Sequence, residues 1–585
     1  MKRIPYGVSN FKDLIDEDMY YVDKTSYLEI LEQNDKYLFF IRPRRFGKSL
    51  FLSMMQTYYD RNEKVNFEKY FGNLYIGKNK TAQANTYLTL RISFATVISD
   101  MGKDKLIQSF DNIVFQNVSR CFEDYSEFFG DVDFPKEQTP ATFALQYLAG
   151  KVRQSGQKLL LLIDEYDNFA NNIMLRDRQL YEDLLHGDGY VKTFYKGIKE
   201  GAADGAIAKV FVTGVSPIML DDITSGANIF TVSSNFKDFN AMLGFTQKEV
   251  EDMVEYYKLG EIVDREELME LLRGYTNGYR FNDEINETVY NTDMVLYIVK
   301  NIIFQKRYPK KLIDENVKTD YTRLRKIAEN FITREEMMNI IETGKTEPLE
   351  IMEKFNLESL YRGEERGVNL RSLLYYIGMF TIGETEGNKV ILKIPNYSVK
   401  AMYWDYMNRA YEVEQSANYA ELERAMRKLR KTAELEDIMD IYTRVVNRMS
   451  NRDLIHFNEA SCKGIFITLV HTDGMYLIES EKEASGGYSD LYIKENVLYK
   501  EDIHYRFMFE FKHIKQSELK GEFNVLSKEE ILEINKDYIA EKEEEAWKQL
   551  EQYIKDHNVL FDNKKPLRKV VVITIARRYV LYMVK

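Results

Sequence analysis

Alternating strand-like and helix-like segments predict a multidomain α/β protein with a parallel sheet at the N-terminus, a largely helical middle and a second, smaller α/β region at the C-terminus. Three observations carry this reading. Short apolar runs at residues 37–41 and 159–163, and a strand-like run at 208–215 that carries Lys209, read as strands of one buried sheet. The stretches between them carry helical periodicity. Beyond about residue 235 the strand signal fades, and it returns near residue 490. At 585 residues the chain is too long for one core, and three or four domains are expected.

The first run leads directly into a turn and a helix, Tyr37-Leu-Phe-Phe-Ile-Arg-Pro-Arg-Arg-Phe-Gly-Lys-Ser-Leu50. A strand that opens through Gly-Lys-Ser into a helix is how a phosphate-binding loop is built. Backbone N–H groups of Arg44, Arg45 and Phe46 would face an anion, and Gly47 lets the backbone approach it. Lys48 reaches the outer phosphates and the Ser49 hydroxyl suits magnesium. The helix expected from Ser49 to Tyr59 adds the positive end of its dipole. In the pattern G-x-x-x-x-G-K-[ST] the first glycine falls at Arg42, so the generic match is incomplete. That glycine chiefly eases the exit from the strand, and here Pro43 fixes a backbone angle instead.

The second run, Lys158-Leu-Leu-Leu-Leu-Ile-Asp-Glu-Tyr-Asp167, reads as a central parallel strand ending in acids. Asp164 is placed to hold magnesium through water, and Glu165 to polarise the water that attacks in phosphoryl transfer. Ligands of open α/β sheets gather at such carboxyl ends. The third run ends in Thr213, whose hydroxyl would sense a terminal phosphate. Residues 87–97 form a further strand-like segment, and helices are expected over 106–122, 141–153 and 180–201. From residue 235 onward Gly244-Phe-Thr-Gln-Lys-Glu-Val250 reads as a turn and a capped helix start, the beginning of a helical lid. A second helical region follows from about residue 292 to 449. It is interrupted by a strand at 390–394 that makes a winged-helix-like element conceivable.

Together, Ile4-Pro-Tyr-Gly7, Tyr21-Val-Asp-Lys-Thr25, Arg42-Pro-Arg-Arg-Phe-Gly-Lys-Ser49, Ile163-Asp-Glu-Tyr-Asp167, Gly244-Phe-Thr246 and Gly278-Tyr-Arg-Phe281 resemble the bacterial AAA-ATPase-like family. That family commonly carries a C-terminal nuclease of the PD-(D/E)XK superfamily, and the resemblance covers essentially the whole chain. It implies that the Arg-Pro-Arg-Arg lead-in is a family trait and that ATP is the ligand. Spacing alone does not choose ATP over GTP.

The last ~140 residues hold a separate chemistry. Gly487-Tyr-Ser-Asp490 opens the strand-like Leu491-Tyr-Ile493, and Arg506-Phe-Met-Phe-Glu-Phe-Lys512 forms a second strand. Glu510 and Lys512 are two apart and so share one face of it. With Asp490 from the neighbouring strand they make the acid, acid and lysine set of a metal-dependent nuclease. Its carboxylates hold magnesium, and its lysine orients or deprotonates water. The resemblance implies further that the helix expected over 542–556 presents Gln549, Gln552 and Tyr553, and that Glu459 supplies a first-helix acid to the metal. Tyr488 stands where the family usually has arginine, and Lys463 stands near a common histidine position.

Composition bounds the rest. Apolar residues at 44% and charged residues at 30% are globular values, which excludes extended disorder. Cys121 and Cys462 lie far apart, and no two of the six histidines stand four apart. Any metal should therefore be bound by oxygen. A net charge of −12 argues against a coat of nonspecific nucleic-acid contacts and leaves local recognition open. With no leader and no run of ~20 apolar residues, a cytoplasmic protein without membrane contact is expected.

The expected architecture is thus an N-terminal P-loop ATPase with a parallel sheet (1–235), a helical lid (236–291), a helical connecting region (292–449) and a C-terminal α/β restriction-endonuclease-like domain (450–585). ATP and Mg2+ are the expected cofactors. DNA or RNA is the expected partner, and homo-oligomerisation is left open. The alternative is a nucleotide-dependent switch or scaffold whose C-terminal fold only docks a partner.

Overall fold

In a computed structural model the apolar runs become β1 (Tyr37–Ile41), β2 (Leu88–Ser93), β3 (Leu159–Asp164) and β4 (Ile207–Gly214), with β5 (Thr231–Val232) as a two-residue edge strand. The structure describes residues 1–585 apart from 131, 136–138, 175, 188, 315–335, 337–339, 341–343, 411–417, 449–456, 481–482, 485–486, 489–490, 523–524, 557–564 and 577. Contacts divide the chain into two units, Met1–Ile332 with Lys345–Tyr397, and Thr333–Gly344 with Ser398–Lys585.

The first unit is built on a sheet of order β2-β3-β4-β1-β5 in which every pairing is parallel. All six residues of β3 are buried, as its unbroken apolar run requires of a central strand. The order sets β4 between β1 and β3, so the carboxyl ends of the two motif-bearing strands flank that of β4. Helix α1 (Lys48–Tyr59) is buried on nearly every side and packs on β2 and β3. Helix α2 (Lys103–Asp124) packs on β2 and on α3 (Ala141–Gln154).

One helix expected over 180–201 is in fact two, α4 (Arg178–Leu185) and α5 (Tyr190–Ala203). Gly187 and Gly189 lie between them. Gly187 has φ +59°, and a Cβ on Gly189 would stand 2.4 Å from the Leu184 carbonyl oxygen. Periodicity continued through the break because both helices share an apolar face.

The lid begins at α6 (Gln247–Tyr256), whose Thr246 side chain accepts from the Glu249 N–H while Glu249 accepts from that of Thr246. Helices α7 (Arg265–Thr276) and α8 (Thr292–Gln305) follow. The region 292–449 is shared between the two units, with 333–344 and everything from Ser398 onward in the second. Helix α9 (Arg366–Tyr376) and the antiparallel hairpin of β6 (Thr381–Glu386) and β7 (Lys389–Lys393) belong to the first unit. They are held there by the aromatic turn: the Arg280 N–H donates to Thr381 Oγ1 at 2.7 Å, and Arg280 itself is buried, bonding the Asn282 and Asp283 carbonyls.

The second unit has a five-stranded mixed sheet of order β14-β13-β12-β11-β8. Its strands are β8 (Tyr476–Ser480), β11 (Leu491–Glu495), β12 (Arg506–Ile514), β13 (Leu567–Ile575) and β14 (Tyr579–Val584), with β9 (Glu483–Ala484) and β10 (Gly487–Tyr488) forming a separate small pair. Only β12 and β13 run parallel within that sheet. Helix α10 (Tyr419–Thr432) and α11 (Glu436–Arg448) pack on α12 (Glu459–Asp473). The pleat of β12 sorts its residues. Phe509 and Phe511 pack against Phe466 of α12, while Met508 and Ile514 join Ala546, Trp547, Leu550 and Tyr553 of α13 (Lys536–Asp556). Glu510 and Lys512 therefore lie on the α13 face. Among the described residues no helix is long and apolar enough to cross a membrane.

Gly278 links the aromatic turn to the hairpin. Its φ is +96°, and a Cβ there would meet the Pro395 carbonyl oxygen at 2.0 Å. Gly278→Ala should cost about 1–3 kcal/mol and raise amide exchange across residues 381–393 selectively, measured by hydrogen–deuterium exchange.

Candidate functional site

At the end of β1 the chain enters residues 42–47, and Arg42 turns inward rather than out. It is 1% exposed. Its Nη1 donates to the carbonyls of Ile41 (3.0 Å) and Ser234 (2.6 Å), its Nη2 to that of Phe239 (2.9 Å). The guanidinium lies 4.3 Å from the Phe40 ring centroid and 4.0 Å from that of Phe281. Burial lowers its pKa to about 10. The position of the missing glycine is thus a structural arginine that anchors the base of the loop.

Arg45 and Gly47 adopt left-handed backbone, with φ of 68° and 93°. A Cβ on Gly47 would meet no atom within 4 Å, so the glycine is kept for its φ and for close approach. The loop carbonyls are engaged by the lid. Arg44 O accepts from Asn291 Nδ2, Arg45 O from the Asp293 N–H, and Phe46 O from the Gly244 N–H and Thr292 Oγ1. In a planar trans peptide the N–H points opposite to the C=O. The N–H groups of Arg45, Phe46 and Gly47 consequently turn away from the residues that take those carbonyls, which leaves them to face an anion.

Lys48 is buried, and its Nζ donates to the carbonyls of Arg42 (2.9 Å) and Pro43 (2.8 Å) across the loop. Burial lowers its pKa to about 8, against the opposing pull of Asp164 and Glu165. Lys48, Ser49, Arg44, Arg45, Phe46, Gly47 and Glu165 all line one cavity of ≈ 440 Å³. Arg44 also reaches Asn168 Oδ1 at 3.4 Å, and Arg45 pairs with Asp293 at 2.9 Å. The far wall includes Pro5, Gly7, Tyr20, Tyr21 and Lys24, so the two N-terminal motifs serve the same cavity.

Asp164 is 3% exposed, with Oδ1 accepting the Glu165 N–H at 3.0 Å and Oδ2 facing Arg91 Nη2 at 3.3 Å. Glu165 follows with φ 51°, and burial, then Asp164, raises its pKa above the ordinary carboxylate value. Thr213, expected to offer its hydroxyl to a terminal phosphate, instead donates it to Phe40 O at 2.8 Å and is 1% exposed. It bonds β4 to β1, because a threonine inside a central strand meets its neighbour's carbonyl first. The donor set of Ser49, Asp164 and Glu165 is all oxygen and suits a hard cation such as magnesium. The guanidinium already standing on Asp164 shows that this carboxylate takes a positive partner.

In the second unit, Glu510 (4% exposed) and Lys512 (5%) are buried side by side, with Nζ 3.5 Å from Glu510 Oε1. Lys512 Nζ is also 3.8 Å from Glu459 Oε2 and 3.9 Å from Glu545 Oε1. Glu545, on α13, pairs with Lys542 at 2.8 Å. Asp490 lies outside the described residues; Leu491, which follows it, pairs with Phe509, next to Glu510. Gln549 and Gln552 are exposed and Tyr553 packs in the core. Lys463 is buried. Among the described residues no three acids converge as a metal-binding group. Lysine holds the centre of the cluster.

Residues 5–224 match the family described as predicted AAA-ATPase, and residues 457–582 match the PD-(D/E)XK nuclease superfamily. The chain joins these two domains. A curated relative, the uncharacterized protein in the vnfD 5'region of Azotobacter chroococcum mcd 1, is 24% identical over 411 residues, covering 68% of this chain and 69% of that one. Solved structures similar to it include Cdc6p from Pyrobaculum aerophilum, 13% identical over 64% of this chain and 88% of the other, TM-score 0.25. Aeropyrum pernix ORC1, solved in complex with DNA, is 10% identical over 66% and 93%, TM-score 0.26. Aeropyrum pernix ORC2, in ADPNP-ADP complexes, is 10% identical over 67% and 93%, TM-score 0.33. The AAA-ATPase-like and nuclease-like descriptions rest on the two domain matches.

Sequence reading missed several residues that shape the AAA-ATPase-like site. Asp167, 2% exposed, accepts from the N–H groups of Val215 (3.2 Å) and Ser216 (2.7 Å) and from Asn171 Nδ2 (2.7 Å), tying the loop after β3 to that after β4. A Cβ on Gly214 would stand 2.4 Å from Asp167 Oδ1, so only glycine fits there. Lys24 donates to Ala241 O and pairs with Glu249 at 2.8 Å.

Arg42→Gly, which restores the generic loop pattern, should damage the protein. It removes three hydrogen bonds from buried carbonyls and leaves a cavity between two aromatic rings. The loss should be about 3 kcal/mol or more, seen as a lower denaturation midpoint.

Proposed function

We propose that the AAA-ATPase-like domain binds and hydrolyses ATP, and that nucleotide state governs a metal-dependent nuclease in the C-terminal domain acting on DNA or RNA. The observation that carries this reading is the gathering of Lys48, Ser49 and Glu165 on one cavity, with Asp164 beside Glu165 at the end of β3. The loop amides and Lys48 hold the phosphates, for which Lys48 exchanges two backbone carbonyls for a stronger anionic acceptor. Ser49 and Asp164 are the residues that would hold magnesium. Bound there, the ion neutralises charge on the phosphates. Glu165 orients the attacking water and accepts its proton. Its raised pKa makes it a better base than an ordinary glutamate once ionised. Arg44 and Arg45 bring further positive charge to the same cavity.

In the nuclease-like domain Asp490 and Glu510, with Glu459, are the residues that would hold a divalent ion, and such an ion activates water and stabilises the scissile phosphate. Lys512 then orients or deprotonates that water. Glu545, with Glu459 and Glu510, is one of three carboxylates within 4 Å of the lysine. A second reading, a nucleotide-dependent switch with a degenerate nuclease fold, is favoured by one observation. Lys512 Nζ stands among Glu459, Glu510 and Glu545, so a cation already occupies the centre that a divalent ion would take.

Lys48→Ala should lose ATP binding, whereas Glu165→Gln should still bind and turn over at least about a hundredfold more slowly. Equal, negligible turnover of wild type and Glu165→Gln supports the switch instead. Nuclease assays on single- and double-stranded DNA and RNA with magnesium or manganese test the other half. Cleavage should disappear in Asp490→Ala, and its loss also in Lys48→Ala would establish coupling.

The Lys48 pKa of about 8 sets a pH limit. Phosphate binds the protonated amine, so affinity should be flat below about pH 8 and fall roughly tenfold per pH unit above it, until the pKa of the bound state is reached. Titrations of a fluorescent ATP analogue between pH 6.5 and 9.5 read this directly. Lys48→Arg, which keeps its charge, should bind more weakly with no such decline.

A further inference from the structure

A buried carboxylate is tolerated beside a positive partner or oriented hydrogen-bond donors, and Asp164 has an unexpected cation. Lys48, the cation expected at this site, is drawn onto the Arg42 and Pro43 carbonyls. The group that faces Asp164 is Arg91, in the middle of β2. Arg91 pairs laterally with Leu162 and Ser93 with Asp164, so all four side chains lie on one face of the sheet. From there the arginine reaches forward along the strands, and Nη2 lies 3.3 Å from Asp164 Oδ2 and 3.1 Å from the Ser49 carbonyl oxygen. It thus touches both residues that would hold magnesium. Asp164 has its other oxygen on the Glu165 N–H, so both are engaged. Arg91 is 24% exposed against 4% for the Asp164 side chain, and it is the partner with room to leave.

Resting on the nucleotide reading above, we propose that Arg91 is a resident counter-cation that competes with magnesium for Asp164. In the free protein the guanidinium neutralises the buried carboxylate. Magnesium arriving with the nucleotide takes over that charge and displaces the arginine from Oδ2, while the contact to Ser49 O persists. Arg91 therefore sets the magnesium concentration at which nucleotide is accepted, and it discourages the metal from settling on the empty site alone. A strut that only positioned Ser49 and Asp164 for the metal would act in the opposite direction.

The sign of the effect decides between these roles. With the full chain, binding of a fluorescent ATP analogue is titrated at a series of magnesium concentrations for wild type, Arg91→Ala and Arg91→Lys. The half-saturating magnesium concentration should fall about tenfold in Arg91→Ala, the equivalent of one charge-assisted hydrogen bond, with Arg91→Lys between. A second readout needs no nucleotide. Magnesium chloride alone should raise the thermal midpoint of Arg91→Ala and leave wild type unchanged, and Asp164→Asn added to Arg91→Ala should abolish the rise. A magnesium requirement that is unchanged or higher in Arg91→Ala, or equal responses of the two proteins to magnesium alone, overturns the proposal. If wild type binds no nucleotide at any magnesium concentration, the ATP reading fails, and the melting comparison still decides whether Arg91 and magnesium exchange on Asp164.

Discussion

The cavity at the end of β1 depends on a single buried guanidinium. Arg42 sits where the backbone leaves β1, and its bonds to the Ser234 and Phe239 carbonyls join the start of the loop to the segment after β5. A glycine in this position gives a loop freedom to turn. An arginine gives it a fixed floor, because three carbonyls and two aromatic faces hold one rigid planar group. The cost is the burial of a charge, offset by hydrogen bonds to neutral carbonyls and by the rings. Once that floor is set, the left-handed turns at Arg45 and Gly47 and the reach of Lys48 back to the Arg42 and Pro43 carbonyls follow from it.

Charge at both candidate sites is arranged by the same rule, that a buried ion is tolerated only beside its opposite or beside oriented dipoles. In the first unit Lys48 rests on carbonyls, Asp164 on Arg91 and a backbone N–H, and Asp167 on two N–H groups and an amide. In the second, Glu510 and Lys512 share the α13 face of β12, with Glu459 and Glu545 at its rim. Each arrangement leaves a cation poised against acids that a divalent ion could also use.

Much of this was legible in the chain. Runs such as Leu159–Ile163 are apolar throughout because both faces of a central strand are covered, and a run that stops at Asp-Glu announces its own carboxyl end. Glu510 and Lys512 could be assigned to one face because strand periodicity is two. What was hidden depended on partners distant in sequence. Arg42 looked like one of several basic residues near a phosphate loop, since its acceptors lie 192 and 197 residues away. Thr213 stood at a plausible position, but its hydroxyl was claimed by the neighbouring strand. Arg91 is an isolated cation in an apolar strand, and Glu545 is one of four acids between 541 and 545, so neither carried a signal that set it apart. Asp490, the residue on which the nuclease reading leans most, lies outside the described residues.

The stitching of the loop to the lid bears on where the chain can be divided. Asn291 and Arg44 are 247 residues apart, yet the amide of one takes the carbonyl of the other, and Gly244 and Thr292 do the same for Phe46. The segment that matches the AAA-ATPase description ends at residue 224, before any of these donors. The Gly47-Lys48-Ser49 turn and the donors that hold the carbonyls before it therefore lie on opposite sides of that boundary. A fragment cut there keeps the motif and Arg42, and loses the Gly244, Asn291, Thr292 and Asp293 donors together with the Ser234 and Phe239 carbonyls on which Arg42 rests.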